Sequence, residues 1–298
     1  MTPKLLVMKT ESSLVVSPDS NLLPGIVCLI RNHFGELPSA LECDPICDAF
    51  EHHFQTPGKQ MRASISLDAS RALRLDSHTA QCLAACVEAL HNASLVLDDF
   101  QDSALERRGR PTVCALYGRD VALGLTLRLT TTAFVSLSRI KKTKHLGSLT
   151  EELHKAVADT ILGQTWDQDD SKNEAVEDVK RTASMKSGPL FGLSVSLPLL
   201  AAGHKEALEN ARRIGKLFGL GYQTLDDLKD RAVDRLQTGG ANIVNAFESN
   251  LDFVEAEMAA QQVADSALEE ASGLAAELPE ESGVGIVRLI DQIIKLRT

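Results

Sequence analysis

Two similar acidic segments, LDDFQD at 97–102 and LDDLKD at 225–230, constrain this chain more than any other feature. On a helix, residues three and four apart share a face, so the first and last aspartates of each segment lie side by side. Carboxylates that converge on a cavity repel one another unless a cation lies between them. Mg²⁺, which completes its shell with water and substrate phosphates, is the natural counter-charge. The alternative is a pair of solvated acidic helix faces, and the repetition of the segment after apolar residues disfavours it.

Composition narrows the class of protein. The chain has 298 residues, 44% of them hydrophobic, and a net charge of −10. Because no strip dense in Lys and Arg is present, nucleic-acid binding is not expected. We expect no membrane span, since no uninterrupted apolar run has the required length. The six cysteines are dispersed, and Cys82 and Cys86 are predicted to be buried free thiols, which fits a cytoplasmic protein.

The pattern of good helix formers predicts one all-α domain over residues 1–298, with 1–22 partly disordered. No segment has the alternation of a strand, and residues 103–117 are predicted to form a basic loop. Residues 243–298 are predicted to form shorter amphipathic helices. The remaining helices are expected at about 24–36, 44–55, 59–74, 77–102 (with Ser77 as N-cap), 118–140, 148–166, 174–187, 188–202 and 205–230.

Basic residues flank the acidic segments in parts of the chain that could fold back on them. A protein that binds two diphosphates needs metal-held carboxylates for one and Arg or Lys donors for the other. The alternatives are a core histidine for His91, solvated charge for the Lys and Arg residues, and an ordinary helix cap for Asp167. The candidate bases are Lys59, Arg62, His91, Arg107, Arg108 and Lys186.

Five motifs in series resemble those of the trans-isoprenyl diphosphate synthases, or polyprenyl synthetases. The family pattern is GGKxxRP, then HxxSLxxDDxxD with RRGxPT, then GQxxD, KTGxLF and FQxxDDxxD. The order and spacing hold from residue 57 to 230. The corresponding segments here are PGKQMRA (57–63), HNASLVLDDFQDSALERRGRPT (91–112), GQTWD (163–167), KSGPLF (186–191) and YQTLDDLKD (222–230).

The resemblance implies an isoprenoid-synthase-type helical bundle around a central cavity, usually a homodimer, that uses three Mg²⁺ to join an allylic diphosphate to isopentenyl diphosphate. It implies that Asp98, Asp102 and Asp226 bind metal directly, and that Asp99, Asp227 and Asp230 bind it through water. It implies an isopentenyl diphosphate clamp of Lys59, Arg62, His91 and Arg108. It also implies that Arg107 and Lys186 donate to the allylic diphosphate, and that Ser187 and Gln223 place oxygen dipoles near the developing cation.

The same resemblance bears on product length. In the family, the residues four and five positions before the first aspartate line the floor of the pocket, and bulky aromatic residues there stop growth early. Here they are Ser94 and Ala93, so we expect a pocket open past fifteen carbons. A C20 product is the first expectation and C15 the second, with the floor set deeper by Leu90 and Val87.

Departures from the family pattern leave two other functions open. Gln60, Leu97, Ser187 and Tyr222 replace residues that are common in the family, and Gly239-Gly240 offers no lysine where Gly-Lys is usual. A non-catalytic partner subunit of a prenyl synthase is one alternative, supported by that missing lysine. A class I terpene cyclase is the other, although it would usually carry a different second metal motif and would not need the isopentenyl diphosphate clamp.

Overall fold

The computed structural model describes residues 23–35, 44–56, 58–141, 143–169, 171, 173, 175–234 and 241–297. The predicted disorder of 1–22 and the break at Gly239-Gly240 lie outside these residues. The predicted all-α class is confirmed. The helices are α1 (Leu23–Phe34), α2 (Pro45–Phe54), α3 (Met61–Ala72), α4 (Ser77–Gln101), α5 (Val113–Tyr117), α6 (Arg119–Ser138), α7 (Leu146–Asp167), α8 (Val176–Ala202), α9 (Leu208–Asp234), α10 (Ile243–Glu248), α11 (Phe253–Ala276) and α12 (Val284–Lys295).

Helix α4 is the central element and packs against α1, α3, α6 and α8. Its Leu83, Cys86 and Val87 side chains are fully buried, each apolar side chain of this size contributing about 1–3 kcal/mol on burial. The predicted N-cap, Ser77, is instead the first helical residue. Asp76 is the cap, since its carboxylate accepts the Thr79 N–H at 3.0 Å.

The predicted helices 174–187 and 188–202 form one continuous helix, α8, with Pro189 and Pro198 in its interior. A proline inside a helix removes one hydrogen bond and costs about 3 kcal/mol, which is why a break was predicted. Packing on both sides opposes the break. Gly163 of α7 lies against the backbone of Met185 and Lys186, where a Cβ would not fit.

Helices α8 and α9 cross at backbone contact distance. A Cβ added to Gly188 would lie 2.7 Å from the Cα of Lys216, and one added to Gly215 would collide with the backbone of Gly192. The pairing of these glycines lets the two helices approach more closely than side chains would allow. The crossing places Ser187 of α8 beside Gln223 of α9, with Ser187 Oγ 3.5 Å from Gln223 Oε1.

The predicted basic loop 103–117 contains regular structure. Strands β1 (Glu106–Arg107) and β2 (Arg110–Pro111) form a short antiparallel hairpin, and α5 follows with Thr112 as its N-cap. Arg108 and Gly109, at the tip, have φ of +55° and +72°. Positive φ at both central residues is the signature of a type I′ turn, which matches the twist of a two-residue hairpin.

Of the C-terminal helices, α11 is longer than predicted, with 24 residues, whereas α10 and α12 are short, with 6 and 12. By length and composition alone, α4 and α6 could span a membrane. Within the protein, however, 72% of the apolar stretch of α4 is buried, as in a core helix. In α6 only 39% of the corresponding stretch is buried. Helix α6 exposes Leu123 and Leu127, which are 44% and 61% accessible. Helix α6 thus presents an exposed apolar face that the homodimer implied by the family resemblance could cover.

Candidate active site

A cavity of about 700 Å³ opens between α3, α4, α8 and α9. It is acidic on one side and basic on the other, and it brings together most of the site residues predicted from sequence. Its lining residues are Thr56, Gly58, Lys59, Gln60, Met61, Arg62, His91, Ser94, Leu95, Asp98, Arg107, Arg108, Gln164, Lys186, Ser187, Leu190, Tyr222, Gln223 and Asp226.

The two acidic segments face this cavity from different helices. Asp98 lies in the last turn of α4 and Asp226 near the end of α9, and both line the cavity. Helical spacing places Asp102 one turn beyond Asp98, with its carboxylate accepting from Gln168 Nε2 at 2.9 Å. The side chain of Asp230 lies outside the described residues. The aspartates that head the two motifs therefore share one cavity.

Two cations hold the first acidic segment. Arg107 Nε lies 2.9 Å from both oxygens of Asp99, and its Nη2 lies 3.3 Å from Asp98 Oδ2. Lys186 Nζ lies 3.1 Å from Asp98 Oδ1. The two residues predicted to donate to the allylic diphosphate are thus in contact with the predicted metal ligands.

Burial and charge set the protonation of these carboxylates. Burial alone would raise the pKa of Asp98, but Lys186, Gln164 and Arg107 lower it below its ordinary value. Burial raises the pKa of Asp99 and Asp102, although Arg107 partly offsets it for Asp99. Asp98 is therefore the carboxylate of this segment whose anionic form is most stabilised.

Asp167, which the sequence left between a supporting role in the site and an ordinary cap, contacts Lys186. It is buried, and its Oδ2 lies 2.6 Å from Lys186 Nζ, while its Oδ1 accepts the Ala241 N–H at 3.3 Å. Gln164, one turn earlier, donates to Asp98 Oδ1 at 2.9 Å. The sequence argument did not assign Gln164, and its place in the GQTWD motif is the only signal that could have found it.

The second acidic segment is held differently. Asp227 is 5% exposed and accepts from Gln223 Nε2 at 3.1 Å and from the Ile243 N–H at 2.9 Å. Asp226 lies 3.2 Å from Lys229, an exposed residue one turn along α9. The described contacts of Asp227 thus fix the start of α10, whereas Asp226 faces the cavity.

The basic side of the cavity is built by α3, α4 and the hairpin. Arg62 is 8% exposed, its guanidinium lies 3.8 Å from the centre of the Phe191 ring, and its Nη1 donates to His91 Nε2 at 3.3 Å. Burial lowers the pKa of Arg62 to about 10, so it remains a cation at neutral pH. Burial, with Arg62 and Arg108 nearby, lowers the pKa of His91 well below its usual value, so His91 is neutral.

The hairpin turn orients Arg108 toward the same side. Arg108 Nη1 donates to the Thr56 carbonyl at 2.6 Å. Its guanidinium lies directly over Gly58. Glycine is favoured there because φ is +72° and because a Cβ would collide with the guanidinium. Lys59 follows Gly58 and lines the cavity. The predicted isopentenyl diphosphate clamp, Lys59, Arg62, His91 and Arg108, is therefore assembled on one wall.

The predicted chain-length residues divide between cavity and core. Ser94 lines the cavity, together with Leu95 and Leu190, which the sequence argument did not name. Ala93 and Leu90 are each 4% exposed and belong to the hydrophobic core behind the cavity wall. Ser94 is the residue of the three with direct access to a ligand.

The donor set suits magnesium, because the candidate ligands that line the cavity, Asp98 and Asp226, present carboxylate oxygens. Among the described residues, no three acidic, histidine or cysteine side chains lie close enough to form a metal cluster by themselves. Magnesium in proteins commonly takes its other oxygen ligands from substrate phosphates and water. The residues present therefore fit the metal that the family resemblance implies.

The chain is similar to known proteins in sequence and in fold. Residues 44–243 match the family model for polyprenyl synthetase. A short chain isoprenyl diphosphate synthase of Methanocaldococcus jannaschii is 30% identical over 72% of this chain and 68% of its own length. A geranylgeranyl diphosphate synthase of Pseudescherichia vulneris is 31% identical over 73% of each chain.

Further relatives at similar identity carry the names (2E,6E)-farnesyl diphosphate synthase and hexaprenyl pyrophosphate synthase, so the names span several product lengths. A solved structure, the geranylgeranyl pyrophosphate synthetase of Pyrococcus horikoshii, superposes with a TM-score of 0.80 over 93% of this chain and 96% of that chain. At 21% identity this likeness supports the fold. The chain therefore belongs to the polyprenyl synthetase family and is a prenyltransferase.

Proposed function

We propose that this protein is a magnesium-dependent isoprenyl diphosphate synthase that condenses an allylic diphosphate with isopentenyl diphosphate, head to tail. The observation that carries the proposal is the division of one cavity into two unlike walls. Asp98 and Asp226 form the acidic wall, and Lys59, Arg62 and Arg108 contribute to the basic wall. Two diphosphates require both walls, one for a metal-bound substrate and one for a substrate held by cations.

The reaction begins when the C–O bond of the allylic diphosphate breaks and pyrophosphate leaves with the electron pair. Magnesium, three ions in our proposal, neutralises the diphosphate when bound and stabilises the leaving group. Asp98, Asp102 and Asp226 would bind the metal directly, and Asp99, Asp227 and Asp230 through water. Lys186 and Arg107 can turn from the carboxylates to the departing pyrophosphate, which supplies positive charge where negative charge develops.

The second substrate then attacks the allylic cation. Lys59, Arg62, His91 and Arg108 would hold isopentenyl diphosphate so that its double bond forms the new C–C bond. The oxygens of Ser187 and Gln223 stabilise the cation, and the proton lost from the adduct passes to the released pyrophosphate. Leu95 and Leu190 keep this part of the cavity apolar, so water has less access to the cation.

The finer features of the proposal are a C20 product, a homodimer and a cytoplasmic location. Ser94, a small residue on the cavity wall, leaves room for a chain longer than fifteen carbons. The exposed apolar face of α6 supports self-association. In the described part of the chain, Cys28, Cys47, Cys82, Cys86 and Cys114 are all free thiols, as a reducing compartment requires.

The proposal is tested by incubating the purified chain with Mg²⁺, isopentenyl diphosphate and, in turn, dimethylallyl, geranyl or farnesyl diphosphate. Elongated products support a synthase, and the longest one gives the product length. Hydrocarbon formed from the allylic substrate alone would instead indicate a terpene cyclase. If no primer gave a product, a partner subunit would replace the present proposal.

Two variants then assign the acidic wall. Asp98→Asn and Asp226→Asn each remove a charge that metal binding needs, so turnover should fall by about 100-fold or more. Asp291→Asn, on the exposed side of α12, is the matched control and should keep wild-type turnover. Equal loss in all three variants would show that the effect is not specific to the cavity.

A further inference from the structure

Glu88 is a buried acidic residue that the proposed mechanism does not use. It lies on α4 about three turns before Asp98 and is 1% exposed. It is not among the residues that line the cavity. An ionised carboxylate in such a place is costly unless positive groups surround it, and those groups indicate what it does.

The first positive group is Arg62 of the basic wall. Burial lowers the pKa of Arg62 and raises the pKa of Glu88. The attraction between the two charges opposes both shifts but is the smaller effect. Among the described residues, Arg62 Nε and Glu88 Oε2 are buried without a hydrogen-bond partner. The two residues are therefore coupled by charge.

The second positive group is the N-terminus of α3. Gln60, the N-cap residue, has a left-handed φ of 48°, and its side chain makes no capping hydrogen bond. The Ala63 N–H, in the first turn of α3, is near the Glu88 carboxylate and opposes the larger rise in its pKa that burial causes. A carboxylate from α4 thus lies at the uncapped, positive end of the α3 dipole.

Glu88 is itself held in place by a hydrogen-bonded neighbour. Asn92 Nδ2 donates to Glu88 Oε1 at 3.1 Å and to the Glu88 carbonyl at 2.8 Å. Asn92 Oδ1 in turn accepts from His53 Nε2 of α2 at 2.9 Å. The carboxylate is therefore fixed by α2 and α4 while it acts on α3.

We propose that Glu88 is a positioning residue that fixes the first turn of α3, and with it Lys59 and Arg62, in the orientation that binds the diphosphate of the isopentenyl substrate. The inference rests on the proposed function, since it assigns that diphosphate to the basic wall. Glu88 neutralises Arg62 before substrate arrives and anchors the helix that carries it. The substrate then meets a preorganised pair of cations.

Glu88→Gln keeps the size of the side chain and removes its charge. We expect the KM for isopentenyl diphosphate to rise about 10-fold, the effect of losing one charge-assisted interaction, while the KM for the allylic substrate changes less than about twofold. Glu88→Ala should raise the first KM further. Glu152→Gln is the matched control, because Glu152 is 6% exposed and pairs with Arg212, a pair that lies outside the cavity.

A binding measurement separates this inference from the proposed function. The affinity for inorganic pyrophosphate without magnesium, measured by calorimetry, should fall about 10-fold in Glu88→Gln and stay unchanged in Glu152→Gln. If the wild-type chain shows no turnover but Glu88→Gln still binds pyrophosphate more weakly than Glu152→Gln, the synthase proposal is refuted and the role of Glu88 is supported. Equal pyrophosphate affinity and equal KM values in the two variants would refute the role of Glu88.

If Glu88→Gln does not fold, Asn92→Ser provides the second variant. It leaves the charge of Glu88 and removes the hydrogen bond that orients it, so the same KM should rise about threefold. An unchanged KM in this soluble variant would overturn the proposal.

Discussion

Lys186 lies between Asp98 and Asp167, with its Nζ 3.1 Å from the first carboxylate and 2.6 Å from the second. Burial alone would lower the pKa of Lys186, but the two aspartates raise it above its ordinary value. A lysine from α8 thus lies between two carboxylates at the acidic wall. In the proposed mechanism, Lys186 would compete there with metal and would become available to pyrophosphate when metal and substrate bind.

Lys186→Ala should therefore destabilise the metal-free protein. The variant removes the cation that contacts the buried Asp167 and leaves Asp98 with Arg107 alone, which should lower the free energy of unfolding by about 2–3 kcal/mol. Because the folded pKa of Lys186 is raised, its contribution is complete at neutral pH and is lost only above its ordinary pKa near 10.5. Urea unfolding at pH 7.5 measures the difference, and millimolar Mg²⁺ should recover part of it.

Lys155→Ala is the control for this prediction. Lys155 pairs with Asp159 at 3.0 Å on the surface of α7, and its side chain is 48% exposed. An exposed pair of this kind contributes less than about 1 kcal/mol. If the two lysine variants lose the same stability, the pair at Asp98 has no special role.

The turn at the tip of the hairpin should be sensitive to a single methyl group. Gly109 has φ of +72°, and a Cβ there costs about 1 kcal/mol even though no neighbour stands in its way. Gly109→Ala should therefore strain the turn that orients Arg108 and raise the KM for isopentenyl diphosphate several-fold. Gly147→Ala, in the first turn of α7 and with no neighbour near its Cβ, should leave both stability and KM unchanged or slightly improved.

The fold could be predicted from sequence where local patterns decide it. Apolar periodicity marked α4, although its cap is Asp76 and not the predicted Ser77, and the two acidic segments lie at or near the ends of α4 and α9. The predicted division of α8 was wrong. Pro189 disfavours a helix locally, but packing of α8 against Gly163 and Gly215, which are distant in sequence, keeps the helix continuous. The type I′ turn at Arg108 was missed because an arginine gives no sign of a positive φ.

The candidate site was predictable to a smaller extent. Motif spacing named the aspartates and the bases, and the fold brings Asp98 and Asp226 to one cavity. Their roles in binding remain predictions. The supporting contacts, such as Gln164 to Asp98 and Asn92 to Glu88, join residues that are distant in sequence or lie within an apolar helix. Apart from the motif that contains Gln164, nothing in the local pattern distinguishes such residues from ordinary surface or core positions.

The partly buried His53 should make stability depend on acidity. Burial lowers its pKa to about 4, so the unfolded chain, with an ordinary value near 6.5, takes up a proton first as pH falls. Stability from this residue is complete above about pH 6.5 and is lost progressively toward pH 4. The loss should reach about 2 kcal/mol at pH 5.

Urea unfolding at pH 7.5 and 5 tests this prediction. His53→Gln, which keeps an N–H donor for Asn92, should reduce the pH dependence by about 2 kcal/mol. His154→Gln, at an exposed position of α7, should leave the dependence unchanged. The same pH dependence in both variants would show that His53 is not the group that titrates.

The exposed face of α6 should carry the dimer contact. Leu127 is 61% exposed, and placing a charge there opposes burial against a second copy. We expect wild-type protein to have the mass of a dimer by light scattering and Leu127→Lys to have that of a monomer. Val254→Lys, at a 60% exposed apolar position of α11, is the control and should remain dimeric. A monomeric wild-type mass would contradict the proposed dimer.

Product length should depend on Ser94 more than on Ala93. Ser94 lines the cavity, so a phenylalanine there would fill space that a growing chain needs, and Ser94→Phe should shift products toward shorter diphosphates. Ala93 is 4% exposed in the core, and Ala93→Phe should instead cost about 1–3 kcal/mol of stability through overpacking. Chromatography of the dephosphorylated products and thermal unfolding of both variants measure the two effects. An unchanged product distribution in Ser94→Phe would exclude this face of α4 as the wall that limits chain length, because a side chain of that size could not remain clear of an alkyl chain beside it.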